Sequence, residues 1–81
     1  MPQDVSFIDT QAYILYLQGN YTRVLNLVQA IPYEVFEANP EIAYHAGLIY
    51  AAAGQPDVAR EYLQLAANGG WKDAQKVLKQ L

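Results

Sequence analysis

Gly19 and Gly54 stand 35 residues apart, and laying one on the other brings the chain into register with itself. Leu15 then falls on Tyr50, Ala12 on Gly47, Tyr21 on Pro56, Val24 on Ala59, Val28 on Leu63 and Ile31 on Ala66. Self-similarity at a fixed period decides architecture before any local reading does. Each unit is one supersecondary element that can bury its apolar face only against a neighbour. The fold is thereby limited to a stack of like units.

Within each unit the apolar residues recur with helical spacing. In 56–68, Val58, Ala59, Tyr62, Leu63, Ala66 and Ala67 form one stripe; in 71–81, Trp71, Ala74, Val77, Leu78 and Leu81 form another. In 21–31, Val24, Leu25, Val28 and Ile31 line one side. Proline and glycine bound these runs. Asn39 is placed to cap a helix with Pro40 at its first position and Glu41 in its first turn, and Pro56-Asp57 opens the next in the same way. Gly19, Gly54 and either Gly69 or Gly70 are natural stops. The spacing predicts helices at about 7–18, 21–31, 40–53, 56–68 and 71–81, with an irregular stretch from Tyr33 to Ala38. No run alternates with period two, so the chain is expected to be all-α.

The second unit reads Ala43-x2-Ala46-Gly47-x2-Tyr50, then Gly54, then Ala59-x3-Leu63-x2-Ala66. It resembles the tetratricopeptide repeat pattern W-x2-L-G-x2-Y…A-x3-F. It departs from that pattern at Ala43, where tryptophan is usual, and at Trp71, where proline usually closes the unit. The first unit is degenerate, with Ala12 for the helix glycine and Val24 for the turn-packing alanine. The junction Ala66-Ala67-x2-Gly70-x2-Asp73-Ala74-Gln75 resembles the related Sel1-type repeat. The resemblance covers about residues 6–81. It implies an α/α superhelix, a tetratricopeptide-like solenoid of two helical hairpins and a C-terminal capping helix. The first repeat would run over about 6–38, the second over about 40–70 and the cap over 71–81, all in one domain spanning 1–81.

Composition narrows what such a module can do. At 53% hydrophobic and 16% charged the chain is too apolar for disorder, and the surplus apolar surface points to a neighbour. The net charge of −3 argues against nucleic acid, whose phosphates demand clustered cations. Residues 1–41 sum to −4 and residues 42–81 to +1, which suits solvated faces or, more pointedly, head-to-tail stacking of unlike ends. With no cysteine there is no disulfide or thiolate chemistry. That suits the cytosol and the periplasm alike, with a slight leaning to the cytosol. The opening Met-Pro-Gln-Asp-Val-Ser lacks the basic and apolar regions of a secretory signal. No apolar stretch approaches the roughly 18 residues needed to span a bilayer, and no helix joins a basic face to a strongly apolar one. A soluble chain without a membrane or nucleic-acid partner is expected.

No residues are assigned to catalysis, to a cofactor or to a metal. His45 is the only histidine, and with Glu41 it makes an i, i+4 helix-surface pair rather than a ligand set. Ser6, Thr10 and Thr22 suit caps and turns, and no glycine-rich phosphate loop exists. An enzyme is not expected. The resemblance implies instead an interaction module, because in tetratricopeptide arrays the first helix of each pair lines the concave, ligand-bearing face. By position that face comprises Asp9, Tyr13, Tyr16 and Leu17 from the first unit and Glu41, Tyr44, Leu48, Ala51 and Ala52 from the second. Tyr13, Tyr16 and Tyr44 fall off the core stripe, and each offers apolar area with a polar tip. The bland alternative is that they fill a narrow groove between two units. Neither 7–18 nor 41–53 contains Lys, Arg or Asn, so a carboxylate-terminated peptide finds only Asp9 and Glu41. The expected partner is a polypeptide that is apolar or aromatic, and neutral to mildly basic. Self-association, or a structural place in a longer array, is the competing expectation. Two hairpins and a cap fall below the three repeats a solenoid usually needs, and Phe7 and Ile8 offer a flank for a homo-oligomer.

Overall fold

A computed structural model of the chain describes residues 12–81, all of them in helices or the short turns between. We number the helices in chain order. The described part of α1 is 12–17; α2 is Tyr21–Gln29, α3 Tyr33–Ala38, α4 Pro40–Ala52, α5 Pro56–Asn68 and α6 Lys72–Leu78. No strand occurs among the described residues.

The same turn is built three times. After α1, Asn20 N–H donates to Leu15 O and Gly19 N–H to Tyr16 O; after α4, Gln55 donates to Tyr50 and Gly54 to Ala51. After α5, Trp71 donates to Ala66 and Gly70 to Ala67. Each is a Schellman closure, which satisfies two orphaned carbonyls and requires a left-handed residue at its corner. Gly19 and Gly54 supply that corner with φ of 77° and 80°. The third corner is Gly70, at φ 93°. Gly69 has a different duty, since a Cβ there would collide with the Pro40 ring, so it lets the end of α5 close onto the start of α4.

Burial follows the 35-residue register. Ala12, Val24, Val28 and Ile31 are enclosed, and so are their counterparts Gly47, Ala59, Leu63 and Ala66. Ala43, Ala46 and Ala74 join them, and such small side chains let helix axes approach closely. The approach of α4 to α5 is close at Gly47, where an added Cβ would lie 2.5 Å from Leu63 Cγ. Apart from the hydroxyls of Tyr44 and Tyr50, α4 carries only two polar side chains, Glu41 and His45, and it packs on α2, α3 and α5. A helix apolar around its circumference belongs in the middle, and α4 is there. α6 closes the end on α5, with Ala74 inward and Lys72, Lys76 and Lys79 exposed. No polar or charged side chain is buried among the described residues, and no helix there is long and apolar enough to cross a membrane.

Three expectations need correction. The stretch Tyr33–Ala38 is a helix, not an irregular connector, so a third short element stands between the hairpins. Pro32, extended at φ −60° and ψ 144°, starts it; Glu34 suits its first turn; Phe36, 2% exposed, anchors it. Asn39 occupies the N-cap position of α4, but its side chain makes no cap bond there. It turns back instead, its Nδ2 donating to Val35 O at 2.8 Å and closing α3. The last helix is shorter than 71–81: Trp71 precedes it, and Leu81 packs on the core beyond its end.

Candidate functional site

Tyr13 and Tyr16 lie one turn apart on α1, and their rings stack at 5.8 Å with 22° between planes. Tyr13 also stacks on His45 of α4, at 5.0 Å and 27°. Tyr44, the residue before His45, is inclined to it at 6.1 Å and meets Trp71 at 6.0 Å. At the other end Tyr16 meets Tyr21 of α2 at 6.2 Å. A continuous line of rings therefore runs Tyr21, Tyr16, Tyr13, His45, Tyr44, Trp71 across α1, α4 and the entry to α6. Centroid separations of this size, with tilted or offset planes, are those at which aromatic rings attract one another.

Local structure explains why the rings meet. A spacing of three puts Tyr13 and Tyr16 on one side of α1. Ala12, Ala43 and Ala46 belong to one buried core, and side chains this small suit the close approach of α1 and α4 at which Tyr13 stacks on His45. The Gly70 corner swings Trp71 out of the α5 axis and back towards Tyr44.

The wall is partly open. Tyr13 keeps 38% of its surface exposed, Leu17 keeps 67%, and Tyr16, Tyr44, His45 and Trp71 are half-buried. Leu48 and Ala51 are half-buried, and Ala52 and Glu41 are exposed, one to two turns along α4 from Tyr44 on the same side. The structure thus sets Tyr13 and Tyr44 against His45 and Tyr16 against Tyr13, with Leu17, Leu48, Ala51 and Ala52 extending the apolar border. Asp9 lies outside the described residues. Three members of the line escape a reading of the sequence. His45 reads there as a surface partner of Glu41, Trp71 as part of the apolar stripe of 71–81, and Tyr21 as a helix start. The adjacency Tyr44-His45 is the one local signal for the first of them.

The electrostatics are mildly negative. Burial raises the Tyr44 phenol above its ordinary pKa, and the Asp73 carboxylate adds to the rise, followed by Tyr13 and Tyr16. Asp73 and Glu41, each in the first turn of its helix, are the acidic residues at this edge. The Trp71 indole N–H is buried without an acceptor among the described residues. Those residues also contain no group of three or more His, Cys, Asp or Glu able to hold a metal ion.

A second aromatic set lies inside. Phe36 meets Tyr62 edge-on at 4.7 Å, and Tyr62 stacks on Tyr50 at 5.3 Å and 5°. It belongs to the core, because Phe36 and Tyr50 are buried. No protein-family model, curated protein or solved structure matches this chain.

Proposed function

We propose that the chain is a tetratricopeptide-like interaction module whose wall of stacked rings holds a segment of another polypeptide. The observation that carries this reading is the line from Tyr21 to Trp71, which joins three separate helices into one surface. Preorganised aromatic side chains contribute large contact area at little entropic cost, which is why they anchor interfaces. The three repeated Schellman turns support the solenoid half of the proposal. Asp73 and Glu41 beside the wall favour a neutral or mildly basic segment over an acidic one.

Trp71 is the only tryptophan and ends the line, so its emission reports on the wall. The test is a selection of phage-displayed 12-residue peptides on the native chain alone, each selected peptide then being titrated into a Tyr13→Ala/Tyr44→Ala variant. Selected peptides should be rich in apolar and aromatic residues, change the Trp71 emission on titration, and bind the double variant at least about tenfold more weakly. Peptides that bind the double variant with undiminished affinity would remove the wall from the function.

A further inference from the structure

A groove of about 440 Å³ runs between α1 and α2, lined by Ile14, Leu15, Arg23, Asn26 and Leu27. Ile14 stands about 100° around α1 from Tyr13 and about 160° from Tyr16, so this groove is separate from the ring wall. Its apolar content is open: Ile14 is 49% exposed.

The chain itself shows what such a groove accepts. Moving 35 residues along carries Ile14, Leu15, Arg23, Asn26 and Leu27 onto Ile49, Tyr50, Val58, Glu61 and Tyr62. In that second position the groove is filled. α3 lies on both α4 and α5, and Phe36 meets Tyr62, which stacks on Tyr50. Ile49, the counterpart of half-exposed Ile14, falls to 1% exposure. The first groove has Leu15 and Leu27 where the second has two tyrosine rings, so it has room for a bulkier side chain. It also has Arg23 where the second has Val58. Arg23 is the only cation in residues 1–41, and the segment that fills the second groove is acidic, with Glu34 and Glu37 flanking Phe36.

We propose that the groove between α1 and α2 docks a short acidic helix of a partner protein, one aromatic side chain entering between Leu15 and Leu27 and a carboxylate pairing with Arg23. A second copy of this chain is the poorer occupant on charge. Facing grooves would set Arg23 against Arg23, and the exposed side of α6 would bring Lys72, Lys76 and Lys79 to it. The chain's own α3 is already engaged with Tyr62.

The probe is a synthetic peptide of residues 31–39, Ile-Pro-Tyr-Glu-Val-Phe-Glu-Ala-Asn, titrated into the isotopically labelled full chain and followed by amide and methyl NMR. The native α3 is tethered at high effective concentration, so free peptide reaches the first groove rather than displacing it. Saturable shifts at Ile14, Leu15, Arg23, Asn26 and Leu27, at peptide concentrations up to about 5 mM, are expected. They should vanish when the peptide carries Phe36→Ala, and binding should weaken by about threefold or more when the chain carries Arg23→Glu. Four results overturn the proposal. One is no response in that range. Another is shifts at Tyr13, Tyr44 and Trp71 instead, which would move the peptide to the ring wall and leave the function proposed above standing. A third is a response of the groove to protein concentration without peptide, which would put a second copy there. The last is contacts in the free chain from the Ile14 and Leu27 methyls to residues 1–11, which would give the groove to the chain's own N-terminal segment.

Discussion

Gly47 of α4 receives the flank of Leu63 of α5, so closely that a single added carbon would lie 2.5 Å from Leu63 Cγ and 2.7 Å from Cδ2. Leu63 is fully enclosed and has nowhere to retreat. Gly47→Ala would gain up to about 1 kcal/mol of helix propensity, against roughly 1–3 kcal/mol for overpacking. A net loss of about 1–2 kcal/mol is expected, read as a lower urea midpoint. Placed on a Leu63→Ala background, which itself costs about 2–5 kcal/mol, the same alanine should cost nothing. Equal costs on both backgrounds would show that the two residues do not compete for this space.

Phe36 ties α3 to the second hairpin through its edge-on contact with Tyr62. Phe36→Leu keeps most of the volume but loses the ring pair, for an expected cost of about 1–2 kcal/mol. Phe36→Ala should cost about 3–5 kcal/mol, a large share of the stability of so small a chain. Thermal melts followed by circular dichroism would test both, and an unchanged melting temperature for Phe36→Ala would mean that α3 is not anchored this way.

Tyr44 and Tyr62 both have phenols raised above the ordinary value of 10.0, each chiefly by burial, Tyr44 next by Asp73 and Tyr62 next by Tyr50. A raised native pKa means that the folded chain holds the proton more tightly than the unfolded one. Stability is therefore complete below about pH 10 and is lost as the pH climbs through the raised native values. Urea midpoints measured from pH 8 to 11 should be level at first and then fall. Tyr62→Phe should make that fall shallower, and a variant as alkali-sensitive as the native chain would remove Tyr62 from the effect.

Trp71 carries a buried donor with no acceptor among the described residues. Such a group costs about 1–3 kcal/mol, which offsets part of what the ring gains by packing. Trp71→Phe removes the donor with a modest loss of area, so its stability should stay within about 1 kcal/mol of the native chain. Trp71→Ala should cost about 3 kcal/mol, since the ring contact with Tyr44 goes too. Denaturation followed by circular dichroism measures both; equal losses would show that the indole N–H has a partner after all.

Where proline opens a helix and glycine closes it, the sequence is legible almost to the residue. α4 runs Pro40–Ala52 against an expected 40–53, and α5 runs Pro56–Asn68 as expected. α3 was hidden because six residues are too few to display a period, and its anchor Phe36 is buried by Tyr62, 26 positions downstream. Asn39 is a related case. A cap residue between two adjacent helices can serve either, and the geometry chose the one behind it. At the candidate site, Tyr13, Tyr16 and Tyr44 stand out as aromatic residues off the core stripe. Trp71 does not, because its spacing to Ala74 and Val77 is that of a core residue, and only the Gly70 corner turns it towards Tyr44. His45 carries no signal alone, since its place depends on how closely α1 approaches.

α4 packs on α2, α3 and α5, and its contacts are therefore made mostly with segments close by in sequence. Loops of that length close quickly, so assembly from the middle outward is the natural order, with the hairpin of α4 and α5 as its seed. The outer elements are then laid on an existing surface, α2 and α3 against α4 and α6 against α5, so each adds its apolar face to a partner already in place.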